Sequence, residues 1–214
     1  MAINVTNVRS VAQGISNMSQ AGARAALSIS KISSSLKEFN KVWKGGSYER
    51  VANSYDVIVD DFNNLIQYIT TEVPDTINTA MAFMASVNEV SYTPPSIEKA
   101  QPIEKVNAKS EEAMFMYDRA SFEHKQNEIR TFIRDSRQQV RGIVDEVNGG
   151  AFRNGFGEND STYSAIKSSV SSMVEAVSRD IETFETSFNS ALDDISSREQ
   201  RGEQAAVDSI NSIK

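Results

Sequence analysis

The sequence predicts an all-α protein built of two long antiparallel helical hairpins that form an elongated four-helix bundle. Three observations carry this: apolar residues recur at gaps of three and four, glycine-rich stretches interrupt the pattern near residues 45 and 150, and prolines 94, 95 and 102 cluster near the midpoint. Gaps of three and four bring side chains onto one face of a helix. Glycine permits the positive φ at which helices reverse, and proline removes an amide donor and pushes its predecessor out of helical space.

The first hairpin spans residues 1–90. Val8, Val11, Ile15, Met18, Gly22, Ala25, Ile29, Ile32, Leu36, Phe39 and Trp43 form an unbroken heptad seam, with Gly22 and Ala25 as a waist where a second helix comes close. The seam stops at Trp43-Lys44-Gly45-Gly46, so residues 43–47 are a turn and Ser47 is placed to cap the next helix. That helix carries Tyr48, Val51, Tyr55, Ile58, Phe62, Leu65 and Ile69, then shifts to Val73, Ile77, Ala80, Phe83, Val87 and Val90. Two successive gaps of four around Pro74 predict a relaxed supercoil with a kink or a break.

Residues 91–104 are a proline-containing linker, and residues 105–214 form the second hairpin. Its first helix places Phe115, Phe122, Ile129 and Ile143 on one series, interrupted by Ser136, with Ile133, Val140 and Val147 on the partner series. Residues 148–159 read as a glycine-rich turn containing Phe152 and Gly155, with Asn159 or Asp160 as the following cap. The last helix runs through Tyr163, Ile166, Val170, Met173, Val177, Ile181, Phe184, Phe188, Leu192 and Ile195 into a polar tail predicted to be frayed or solvent-exposed. Trp43 and Phe152 lie 109 residues apart, close to half the chain, which suggests an internal repeat.

Composition narrows the chemistry. The formal net charge is −7 without a block of like charges, which argues against nucleic acid as a partner. Cysteine is absent, which removes disulfides, thiolate nucleophiles and Cys-ligated metals. His124 is the sole histidine and reads as part of a solvated helix face, so neither a multi-histidine metal site nor a histidine-based triad is expected. Asp60-Asp61, Glu111-Glu112 and Asp193-Asp194 are neighbours in sequence that point about 100° apart on a helix, and they read as solvated charges rather than paired acids. Gly149 to Gly157 lacks the Gly-Lys-Ser/Thr of a phosphate loop. No catalytic residue, cofactor or metal is expected. Met81, Phe83 and Met84 with Met114 and Met116 suit an adaptable surface, but core packing near the linker is the favoured reading.

The opening Met1-Ala2-Ile3-Asn4-Val5 lacks the basic start and apolar stretch of a signal peptide, and no run reaches the roughly 18 apolar residues of a membrane span. The chain is therefore expected to stay in the cytoplasm or to leave by a route that reads something other than a cleavable signal.

Leu36, then Trp43-Lys44-Gly45, then Ser47 and Val51 on a new helix resemble the WXG family of helical hairpins exported by type VII secretion systems of Gram-positive bacteria. In the second half Phe152 stands where that pattern has tryptophan, and Gly155 follows three residues later instead of two. The family's Tyr-x-x-x-acid element has no match after Tyr163, the last tyrosine, although Tyr68 and Glu72 have its spacing within a predicted helix. The resemblance implies a secreted helical substrate or targeting partner that binds a protein or the secretion ATPase. Trp43, Gly45, Gly46, Phe152 and Gly155 are then the candidate recognition or turn residues. The expected state is a monomer with its hairpins paired internally. Two other readings are a membrane-active helical toxin or adhesin component, suggested by Ala80-Met81-Ala82-Phe83-Met84-Ala85, and an intracellular structural coiled coil.

Overall fold

Asn7 starts the first helix, its Oδ1 accepting from the Ser10 amide at 3.1 Å and so satisfying a donor that the helix cannot. In the computed structural model, which describes residues 7–87, 89, 91–109, 119–157 and 160–211, six α-helices follow. They are α1 (Val8–Phe39), α2 (Gly46–Gln67), α3 (Val73–Val87), α4 (Arg119–Asn148), α5 (Gly150–Phe156) and α6 (Ser161–Asn211). A π-helical turn, Tyr68–Glu72, joins α2 to α3 without a break. No strand occurs among the described residues. The fold is the expected all-α bundle of two hairpins, with α1 returning through α2 and α3, and α4 returning through α6.

The two hairpins pack with α1 antiparallel to α4 and α2 antiparallel to α6. Phe122 of α4 meets Phe39 at the end of α1, Lys31 lies over the Phe132 ring at 5.7 Å, and Phe152 reaches Gly14 near the start of α1. On the other side, Tyr55 of α2 meets Phe184 of α6, and Arg50 pairs with Asp194. The two hairpin turns consequently lie at opposite ends of the bundle. α1 packs along α4, and Gly14 gives room at its start for Phe152 of α5. Within the first hairpin, by contrast, tyrosines act as spacers. Tyr48 donates to the Leu36 carbonyl at 2.9 Å and Tyr55 to the Ile29 carbonyl at 3.2 Å, one heptad apart on both helices. Such bonds to backbone oxygen contribute about 1 kcal/mol each and fix the register.

The first seam is buried from Val11 to Trp43, but Val8 is exposed and lies outside it. The expected kink at Pro74 is absorbed by the π-turn, in which the Val73 amide donates to the Tyr68 carbonyl. The turn's extra residue rotates the following helix, so Met81 takes the core position while Phe83 and Val87 turn outward, 70% and 66% exposed. Those two expected seam positions are therefore corrected. Val90, Phe115, Met114, Met116, Asn159 and Glu111-Glu112 lie outside the described residues.

In the second hairpin Ile129, Ile133, Val140, Ile143 and Val147 are buried, and so is Ser136, whose hydroxyl has no partner. On α6 the core position expected at Met173 belongs to Val174. The polar C-terminal part continues as helix to Asn211 and is largely exposed.

Residues 91–109 have no regular secondary structure, yet they are tied down as a strap in the groove between α1 and α2. Tyr92 hydrogen-bonds Asn78, and the Glu98 amide donates to Ser19 Oγ at 3.0 Å. Asn63 then grips Ile103 on both sides, accepting from its amide and donating to its carbonyl, each at 3.1 Å. Asp56 accepts from the Val106 and Asn107 amides at 2.6 and 3.0 Å. These side chains satisfy backbone groups that irregular structure leaves open, and Ile103 is buried.

Candidate functional site

The Trp43 turn is built from the inside outward. α1 ends with Asn40 as its C-cap, the Trp43 amide donates to the Phe39 carbonyl at 2.8 Å, and Gly45 takes φ 98°, which disfavours any residue with a Cβ. Gly45 is itself the N-cap of α2, without a side-chain bond. Ser47, the expected cap, bonds the indole instead, its Oγ accepting from Trp43 Nε1 at 3.1 Å. Gly46 lies in open space.

The indole is 1% exposed. It meets Phe39 and Tyr48 edge-on at 6.0 and 5.4 Å, and Phe39 in turn touches Phe122 and Phe188 of the second hairpin at 5.3 and 6.4 Å. The plug at this end thus belongs to both hairpins. Burial pushes the Tyr48 hydroxyl up to about 12, with Asp56 adding to it. Outside the plug, Lys41, Gly46 and Arg50 are exposed, and Lys125 of α4 pairs with Glu38.

At the opposite end, residues 148–159 are not a simple glycine turn. Gly150–Phe156 form a helix, α5, capped by Gly149 and ended by Gly157 at φ 84°. Asp160 caps α6, its Oδ1 accepting from the Thr162 and Tyr163 amides at 2.8 and 2.9 Å. Phe152, Phe156 and Tyr163 stack at 6.2–6.4 Å. Tyr163 donates to the Val147 carbonyl at 3.1 Å, just as Tyr48 does to Leu36. Each hairpin therefore has a tyrosine early in its second helix bonded to the last turns of its first.

Two contacts at this end escaped sequence reasoning. A Cβ on Gly14 would stand 2.8 Å from the Phe152 ring, and a Cβ on Gly155 would stand 2.4 Å from Val11 Cγ2 and 2.9 Å from the Val11 amide nitrogen. Phe152 and Gly155 thus seat the second turn on the start of α1. Gly14 falls one position before seam residue Ile15, so the only sequence signal was a glycine inside a helix. Trp43, Gly45 and Gly46 cluster at one end, Phe152 and Gly155 at the other, and the structure brings neither set to the other.

Among the described residues, no three His, Asp or Glu side chains converge as a metal site, and no helix is long and apolar enough to cross a membrane. His124 is exposed on α4. Asp61, however, is not simply solvated, because it interacts across α2 and α6 with Asp180. The pairing is invisible when only carboxylates adjacent in sequence are compared.

Comparison with protein-family models, with curated proteins and with solved structures returns no match.

Proposed function

We propose that this chain is a non-enzymatic binding protein of the WXG kind, a helical substrate or targeting partner of a type VII secretion system. It is exported and engages a protein partner or the secretion ATPase. The observation that carries this reading is the Trp43-Lys44-Gly45 turn, which closes one of two hairpins whose apolar seams are satisfied within one chain. A pre-paired bundle leaves its turns and outer helix faces for recognition. The buried indole sets the shape of the turn, while Lys41, Gly46 and Arg50 form its outer surface.

The test is expression in a Gram-positive host with an active type VII system and in the same host lacking its membrane-bound FtsK-like ATPase. The chain is expected in the supernatant of the first alone, without release of a cytoplasmic marker. Equal amounts in both supernatants, or none in either, would overturn the reading. A second reading, membrane contact, is favoured by Phe83 and Val87 on the solvent side of α3. It requires leakage of liposomes by the purified protein that Phe83→Ser abolishes.

A further inference from the structure

The contact between α2 and α6 is one of the seams that hold the hairpins together, and two contacts toward the Trp43 end set its register beside one acidic pair. The Tyr55–Phe184 ring contact and the Arg50–Asp194 ion pair set these helices antiparallel, which brings Asp61 opposite Asp180. Both carboxyls are half-buried. Asp180 Oδ2 is shut off from solvent and no N–H or O–H donor of another residue reaches it, a costly state for a charged carboxylate that a proton on the pair relieves.

We propose that Asp61 and Asp180 form a proton-operated latch between the two hairpins: one shared proton holds α2 against α6, and its loss weakens that seam. Nearby charges leave the pair largely uncompensated. On α2, Asp60 is engaged by Lys105 of the strap and Arg50 by Asp194. On α4, Arg137 is held by Glu185, while Arg141 and Asp145 line the separate α4–α6 groove with Glu175, Arg179 and Glu182. Arg179 is the cation that acts on Asp180, and it is outweighed. Burial first, then the Asp61 charge and the hydrogen bond that the protonated acid makes with Asp61, push the Asp180 carboxyl up from 3.8 to about 6.

The sign follows from linkage. A carboxyl raised on folding binds its proton more tightly in the folded state, so its stabilisation is complete below about 3.8 and is lost as pH rises through about 6. The latch is closed in mildly acidic surroundings and loosened at neutral pH.

Hydrogen exchange of the full chain, corrected for the intrinsic pH dependence of exchange, reads this directly. Between pH 5 and 7.5 the opening equilibrium of α2 and α6 should rise about tenfold in the wild type. Asp180→Asn and Asp61→Asn, which keep shape and remove the repulsion, should flatten the profile and protect the seam at pH 7.5. A flat wild-type profile, or an unchanged tenfold rise in Asp180→Asn, would overturn the proposal. Carboxyl NMR of the wild type gives an independent reading: a midpoint near 6 for Asp180 supports the latch, and one below 4.5 excludes it.

Discussion

Gly155→Ala tests how the second hairpin is seated on the first. The added methyl would stand 2.4 Å from Val11 Cγ2 and 2.9 Å from the Val11 amide nitrogen. A side chain alone could rotate away, but the backbone of α1 cannot. Overpacking of this kind costs roughly 1–3 kcal/mol, and the backbone contact places it at the upper end. Moving the turn also endangers the 3.2 Å bond from the Asn7 amide to the Gly155 carbonyl, about 1 kcal/mol more. Alanine's higher helix propensity offsets up to about 1 kcal/mol. The net loss is about 2–3 kcal/mol, which for a chain of this size lowers the melting temperature by roughly 5–10 °C. Gly46→Ala is the control, since nothing lies within 4 Å of its added methyl, and it should leave stability equal or slightly raised. Thermal and urea unfolding followed by circular dichroism measures both. If Gly155→Ala unfolds within about 0.5 kcal/mol of the wild type, the second turn does not rest on α1.

Trp43→Ala removes a buried ring packed on Phe39 and Tyr48 and should cost about 3–5 kcal/mol by urea denaturation; a loss below about 1 kcal/mol would show that the indole is not a plug. Tyr55→Phe removes the hydroxyl donor to the Ile29 carbonyl and should cost about 1 kcal/mol, whereas an unchanged unfolding midpoint would remove the spacer role of the tyrosines. Asn63→Ala frees both backbone groups of Ile103, so limited proteolysis should cut within residues 91–109 faster than in the wild type, and an equal rate would mean that the strap is held elsewhere. Spectrophotometric titration should find Tyr48 ionising near 12, and a value near 10 would mean that its hydroxyl is open to water.

The parts of this fold legible in the sequence are those where large apolar residues hold a strict heptad. Val11 through Trp43 and Tyr48 through Ile69 reached the core as read, because each position carries enough apolar area to dictate its own face. Phe83 and Val87 were misplaced because a π-turn changes helical phase, and a run of four-residue gaps does not reveal where the extra residue is accommodated. The glycine-rich stretch looked like a turn because glycine is a poor helix former, but Phe152 and Phe156 sit four apart and bury one face of α5. The strap is held by Asn63, Asp56 and Ser19, polar residues whose backbone partners lie 40 or more positions away, and local pattern carries no trace of such contacts. Trp43, Gly45 and Phe152 were visible as odd residues at predicted reversals, whereas Gly14 and the Asp61–Asp180 pair depend on how the hairpins meet.

In this fold one chain pairs its own two hairpins with their turns at opposite ends. The sequence has no cysteine, so Lys41→Cys with Arg153→Cys gives two unique spin-label sites on exposed positions of the two turns. At 1.5 Å per residue along α1, the labels should stand about 45 Å apart. Pulsed dipolar spectroscopy should therefore show one distance near 45 Å that persists when the labelled protein is diluted into an excess of unlabelled chain. A distance below about 25 Å would place both turns at the same end, and a 45 Å signal that vanishes on dilution would mean that the hairpins pair between chains.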